Sequence, residues 1–153
     1  MLNIMTMMLM WGCGERDTLS GRWAGDVRCD DRDFEFTANL SEVRPFEYDG
    51  QFLFDYSKAV SGGTFYASLL YDVQAIQPNR AGAQEIVFYN VIWSDLGCKT
   101  EYNNGEELLG GCQSNGLDTS DLEEDVGDLT MDFNGIDRLV IDDGNCQGAF
   151  YRE

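Results

Sequence analysis

The sequence has no histidine, and only 10 of its 153 residues are basic against 28 that are acidic. The first absence removes Ser-His-Asp and Cys-His catalysis, histidine zinc sites and histidine haem ligation together. The second leaves a net charge of −18. With no basic stripe, such a surface repels nucleic acid and cannot dock on anionic lipid through a basic helix. Walker and GxGxxG loops are missing, as are the GxSxG and SxxK signatures of activated serines. No close CxxC pair offers a thiolate zinc site. No cofactor is therefore expected.

What remains is the means to fold. Hydrophobic residues make up 43% of the chain and aromatics 12%, too much for a disordered acidic tail. The length suits one domain, able to bury about 70% of its unfolded surface.

Strand patterns dominate. Phe34, Phe36, Ala38 and Leu40 alternate with Glu35, Thr37 and Asn39 in a clean period of two. Phe52, Phe54 and Tyr56 alternate with Leu53 and Asp55. From Thr64 to Ile76, one side carries Phe65, Ala67, Leu69, Tyr71 and Val73, the other Tyr66, Leu70 and Ile76. Ile86–Trp93, Leu129–Phe133, Leu139–Ile141 and Gly148–Tyr151 complete the set. Turn signals separate them: Asp49-Gly50, Ser61-Gly62-Gly63, Pro78-Asn79, Asn103-Asn104-Gly105, Asn134-Gly135 and Asp143-Gly144-Asn145. Asp49-Gly50 and Asn134-Gly135 have the composition of tight type I′ hairpins. The expectation is an all-β antiparallel meander of about eight or nine strands, closed into a barrel that leaves no exposed edge.

Residues 1–12 are uncharged and run apolar from Met1 to Trp11. That run is shorter than the about 20 residues needed to cross a bilayer and suits the apolar core of a secretory signal. Leu9-Met10-Trp11-Gly12-Cys13 resembles a bacterial lipobox, whose cysteine is lipidated and becomes the first residue after cleavage. The resemblance implies a signal peptide over 1–12, a lipidated tether over 13–20 and a folded domain over 21–153. No Lys or Arg precedes the run, as in a signal truncated at its start. Acyl chains on Cys13 would form a durable anchor at about 0.8 kcal/mol per buried methylene. Gly14 after the cysteine implies sorting to the outer membrane, so the expected location is the bacterial envelope, facing the periplasm or the surface.

With Cys13 committed to lipid, Cys29, Cys98, Cys112 and Cys146 remain, enough for two disulfides. Four cysteines admit three pairings. The favoured one joins Cys98 to Cys112 around a short Gly-rich loop and Cys29 to Cys146 between the first strand and the last.

Gly21-Arg22-Trp23 opens the first strand. A Gly-x-Trp at this place, followed by a meander, is similar to the calycin superfamily of lipocalins, fatty-acid-binding proteins and avidins. The resemblance implies that Trp23 plugs one barrel end and that a basic side chain from the last strand, here Arg152, covers it.

The segment Asp118–Asp128 is densely acidic, and Asp118, Asp121, Glu123, Glu124 and Asp125 are candidate oxygen ligands for calcium. Their spacing is not that of an EF-hand, and a solvated charged loop is the preferred reading. No spacing among the 28 acids singles out a catalytic carboxylate pair. The functional expectation is therefore non-enzymatic. It is a lipid-anchored envelope protein whose lipocalin-like barrel binds a small apolar molecule and whose only membrane contact is the anchor. The alternative is a structural or protein-interaction module with a filled barrel.

Overall fold

A computed structural model describes residues 18–30, 32–77, 84–117 and 129–153. Nine strands form one antiparallel sheet. They are β1 (Gly21–Cys29), β2 (Arg32–Arg44), β3 (Glu47–Val60), β4 (Gly63–Ile76), β5 (Gln84–Tyr102), β6 (Glu107–Leu109), β7 (Leu129–Phe133), β8 (Arg138–Asp142) and β9 (Cys146–Arg152). Each strand pairs with its chain neighbour, except that β5 passes on to β7 while also carrying the short β6 at its far end. β1 pairs with β9 from Trp23↔Arg152 to Cys29↔Cys146. That pairing closes eight strands into a barrel, with β6 as an added strand outside the ring.

The period of two places the core inside. Phe36, Ala38 and Leu40 of β2, Phe52 of β3, and Phe65, Ala67, Leu69, Tyr71 and Val73 of β4 are all buried. The intervening residues Glu35, Gln51, Ser68 and Asp72 are exposed. Polar-out and apolar-in is the reverse of the outward apolar band of a membrane-spanning barrel. Edge-to-face aromatic pairs bind the inner layer: Phe36 with Phe52 at 5.0 Å and Trp23 with Phe133 at 5.8 Å. Such pairs add about 0.5–1.5 kcal/mol beyond their area.

Closure demands close backbone approach at the β1–β9 seam. A Cβ on Gly25 would lie 2.2 Å from the Ala149 carbonyl oxygen, and one on Gly148 would lie 2.6 Å from that of Asp26. No side chain fits at either position without separating the two strands.

Several turns differ from expectation. Asp49-Gly50 is not a hairpin but lies inside β3, which pairs with β2 through Gly50↔Leu40. The chain reverses instead at Pro45-Phe46, where Phe46 takes a φ of 68°. Side chains at Tyr48 and Phe52 both need the inner face, so the strand runs straight through the Asp-Gly pair. Asn134-Gly135 does belong to a turn, but one of four residues rather than two. The Asn134 carboxamide oxygen accepts the backbone N–H groups of Ile136, Asp137 and Arg138, each at 3.0 Å. β5 extends nine residues past Trp93, with its register against β4 shifting near Tyr71 and Gln74. Pro78-Asn79 and the Asp118–Asp128 segment lie outside the described residues.

Both disulfides form as favoured: Cys29–Cys146, 117 residues apart, and Cys98–Cys112, 14 apart. Loop entropy makes the longer closure the stronger constraint on the unfolded chain. Removing Cys29 and Cys146 together, each to alanine, is expected to lower unfolding stability in urea by about 4–5 kcal/mol, against about 3 kcal/mol for the Cys98/Cys112 pair. The opposite order would mean that the seam is held without its cross-link.

Candidate functional site

The two ends of the barrel differ. At one end Trp23 is fully buried and its indole N–H donates to the Leu19 carbonyl at 2.9 Å. The Arg152 guanidinium lies over the indole ring, 4.6 Å from its centroid. Its N–H groups donate to the carbonyls of Ser20 at 2.6 Å, Ile136 at 3.0 Å and Thr18. Register sets this geometry, because Trp23 and Arg152 are direct partners across the β1–β9 seam. Leu19 is fully buried beneath the clamp. The folded unit therefore includes Thr18–Ser20, which the sequence reading assigned to a tether. Tyr48, Ile86, Phe133 and Leu139 fill this half of the interior.

The other half holds an apolar pocket. A cavity of about 260 Å³ is lined by Phe34, Phe36, Phe52, Phe54, Tyr71 and Phe150, with Leu69, Val91, Met131 and Ile141 between them. Phe36 and Phe150 pack together in its wall with ring centroids 4.0 Å apart. The edge of Phe54 meets Tyr71 at 5.7 Å. Tyr71 supplies the single hydroxyl among the described lining residues. Burial pushes its pKa above the ordinary 10.0, so the phenol keeps its proton through the neutral range. Arg32, Asp143 and the Cys29–Cys146 disulfide frame the mouth.

A short turn borders that mouth. Cys112–Leu117 contains one 3-10 turn, Gln113–Asn115, and presses Leu117 into the cavity wall, where it is buried. Three restraints hold the turn: the Cys98–Cys112 disulfide, Lys58 donating to the Asn115 carbonyl at 2.8 Å, and Arg32 donating to the Gly116 carbonyl at 2.8 Å. Leu117 and Leu129, the residues flanking the acidic segment, both line the cavity.

A larger concavity, about 1010 Å³, lies on the outer face of β1–β5. It is open to solvent and carries Asp26, Glu35 and Asp55 opposite one another on adjacent strands. Like charges in direct cross-strand register repel, and no group of acids among the described residues has the geometry of a metal site. The apolar, aromatic-lined pocket is the better candidate.

Of the residues singled out in sequence, Trp23 and Arg152 meet, and the four disulfide cysteines pair. Cys13 and the calcium candidates Asp118, Asp121, Glu123, Glu124 and Asp125 lie outside the described residues. Sequence reasoning missed Arg32 and Lys58, whose targets lie 84 and 57 residues away. No local signal marks such contacts. Tyr71 was visible only as one member of an apolar strand face.

Replacing Arg152 with lysine keeps the charge but loses the planar fork that reaches three carbonyls and stacks on Trp23. Arg152→Lys is expected to cost about 2 kcal/mol of stability by chemical denaturation; an unchanged midpoint would show that Arg152 does not hold the plug. No family model, curated protein or solved structure matches this chain.

Proposed function

We propose that this chain is a non-enzymatic, lipid-anchored protein of the bacterial envelope that holds a small apolar molecule inside its barrel. The observation that carries the reading is the aromatic-lined pocket of about 260 Å³, with Leu117 in its wall and charged side chains only at Arg32 and Asp143 among the described lining residues. Ligand sites are concave and mostly apolar with few polar groups, and this one follows that pattern at a size just below their usual range of about 300–1,000 Å³. Two disulfides and a lipobox-like Cys13 support an exported, anchored protein. The acidic surface supports a body held at the membrane by its lipid alone. A filled interior was the mark of the interaction-module alternative, and the apolar pocket favours the carrier.

Native mass spectrometry of the full chain purified from bacterial envelopes tests the binding. A non-covalent adduct that disappears on denaturation is the expected result; ligand-free mass alone, over repeated gentle preparations, would count against a carrier. Metabolic labelling with an alkynyl fatty acid tests the anchor. Label is expected on the wild-type chain and not on Cys13→Ser; an unlabelled wild-type chain would remove the anchor from the proposal.

A further inference from the structure

The Tyr71 hydroxyl has no assigned role in closing or filling the barrel. Tyr71 is only 8% exposed. Among the described residues its oxygen has no hydrogen-bond partner, and it belongs to the lining of the apolar cavity. The ring is fixed by register, facing Phe52 of β3 and Trp93 of β5 across the strands, and by the edge contact with Phe54. The rest of the described lining is carbon and sulfur apart from Arg32 and Asp143 at the mouth. A hydroxyl on an apolar wall, without a partner among the described residues around it, is free to pair with a bound molecule.

The other groups near the cavity narrow what could meet that hydroxyl. Arg32 is engaged with the Gly116 carbonyl. The Asp143 carboxylate accepts the backbone N–H groups of Asn145 and Cys146. No ionised side chain among the described residues lies within the aromatic part of the lining, so a charged occupant would be desolvated without a counter-charge. A net charge of −18 further disfavours anions. Size narrows the field again, because an engineered apolar cavity of about 150 Å³ accepts benzene. The 260 Å³ here has room for one ring with a short substituent.

Building on the carrier reading above, we infer that the ligand is a small neutral molecule of about one substituted ring, bearing a carbonyl or ether oxygen that accepts the Tyr71 hydroxyl proton. The retained phenolic proton makes Tyr71 a donor at neutral pH.

Acetophenone and isopropylbenzene form a matched pair of probes with the same skeleton, one with a carbonyl oxygen and one with a methyl group in its place. Both are titrated calorimetrically into the full chain and into Tyr71→Phe, which keeps the ring and its packing. The wild type is expected to bind both with one site. Tyr71→Phe is expected to weaken acetophenone about fivefold or more while leaving isopropylbenzene unchanged or slightly tighter. In the wild type, the carbonyl-13C resonance of bound acetophenone is expected downfield of its position in an apolar solvent, a readout that does not depend on the variant folding. Equal loss for the two probes, an unchanged affinity ratio, or a carbonyl shift like that in an apolar solvent would each overturn the role of Tyr71 while leaving the cavity a binding site. Binding of neither probe to the wild type would overturn the carrier reading and this inference with it.

Discussion

Everything in this barrel depends on the first strand finding the last. The β1–β9 seam is where a curled sheet becomes a closed ring, and three devices act along it. Gly25 and Gly148 let the two backbones approach. The Cys29–Cys146 bond locks one end of the seam, and Arg152 over Trp23 locks the other. Without the seam, β1 and β9 would each present an unpaired edge, and the sheet would be free to flatten and expose its aromatic face. The covalent bond and the guanidinium clamp are complementary, since each secures the end of the seam that the other does not reach.

Closure also explains why the interior is divided. Where the clamp acts, Leu19, Trp23, Phe133 and Leu139 are all buried. Toward the disulfide end, six aromatic rings stand around a space instead of across it. Inward phenylalanines on adjacent strands, such as Phe36, Phe52 and Phe54, lean against one another edge to face. Rings held by their neighbours on the wall have no cause to fall into the middle. The mouth is bordered by a turn whose own backbone carbonyls are held by Lys58 and Arg32.

Much of this architecture was legible in sequence because a half-buried strand writes its period directly into residue choice. Phe34 to Leu40 and Phe65 to Val73 needed no tertiary information. The disulfide pairing could be favoured but not chosen from sequence alone: a meander places the first and last strands together, and a short Gly-rich loop lies between Cys98 and Cys112. The turns misled where composition and register competed. Asp49-Gly50 has hairpin chemistry, but Tyr48 and Phe52 both require the inner face, and burial of two large rings outweighs a local turn preference. The cavity was not legible at all. The same nineteen aromatics would fill a barrel of slightly different tilt, and tilt follows from the whole ring of strands rather than any one of them.

The seam has a further consequence for how the chain reaches its fold. Its pairings are among the most distant in sequence, joining residues more than a hundred positions apart, and contacts of that kind form slowly because loop closure must come first. Local hairpins such as β3–β4 can assemble as soon as both strands exist, but Trp23 stays uncovered until Arg152 is available. The chain therefore cannot complete its core while its C-terminal strand is still being made or moved. The barrel closes, and its cysteines at the seam come within reach of each other, only once the whole polypeptide is available.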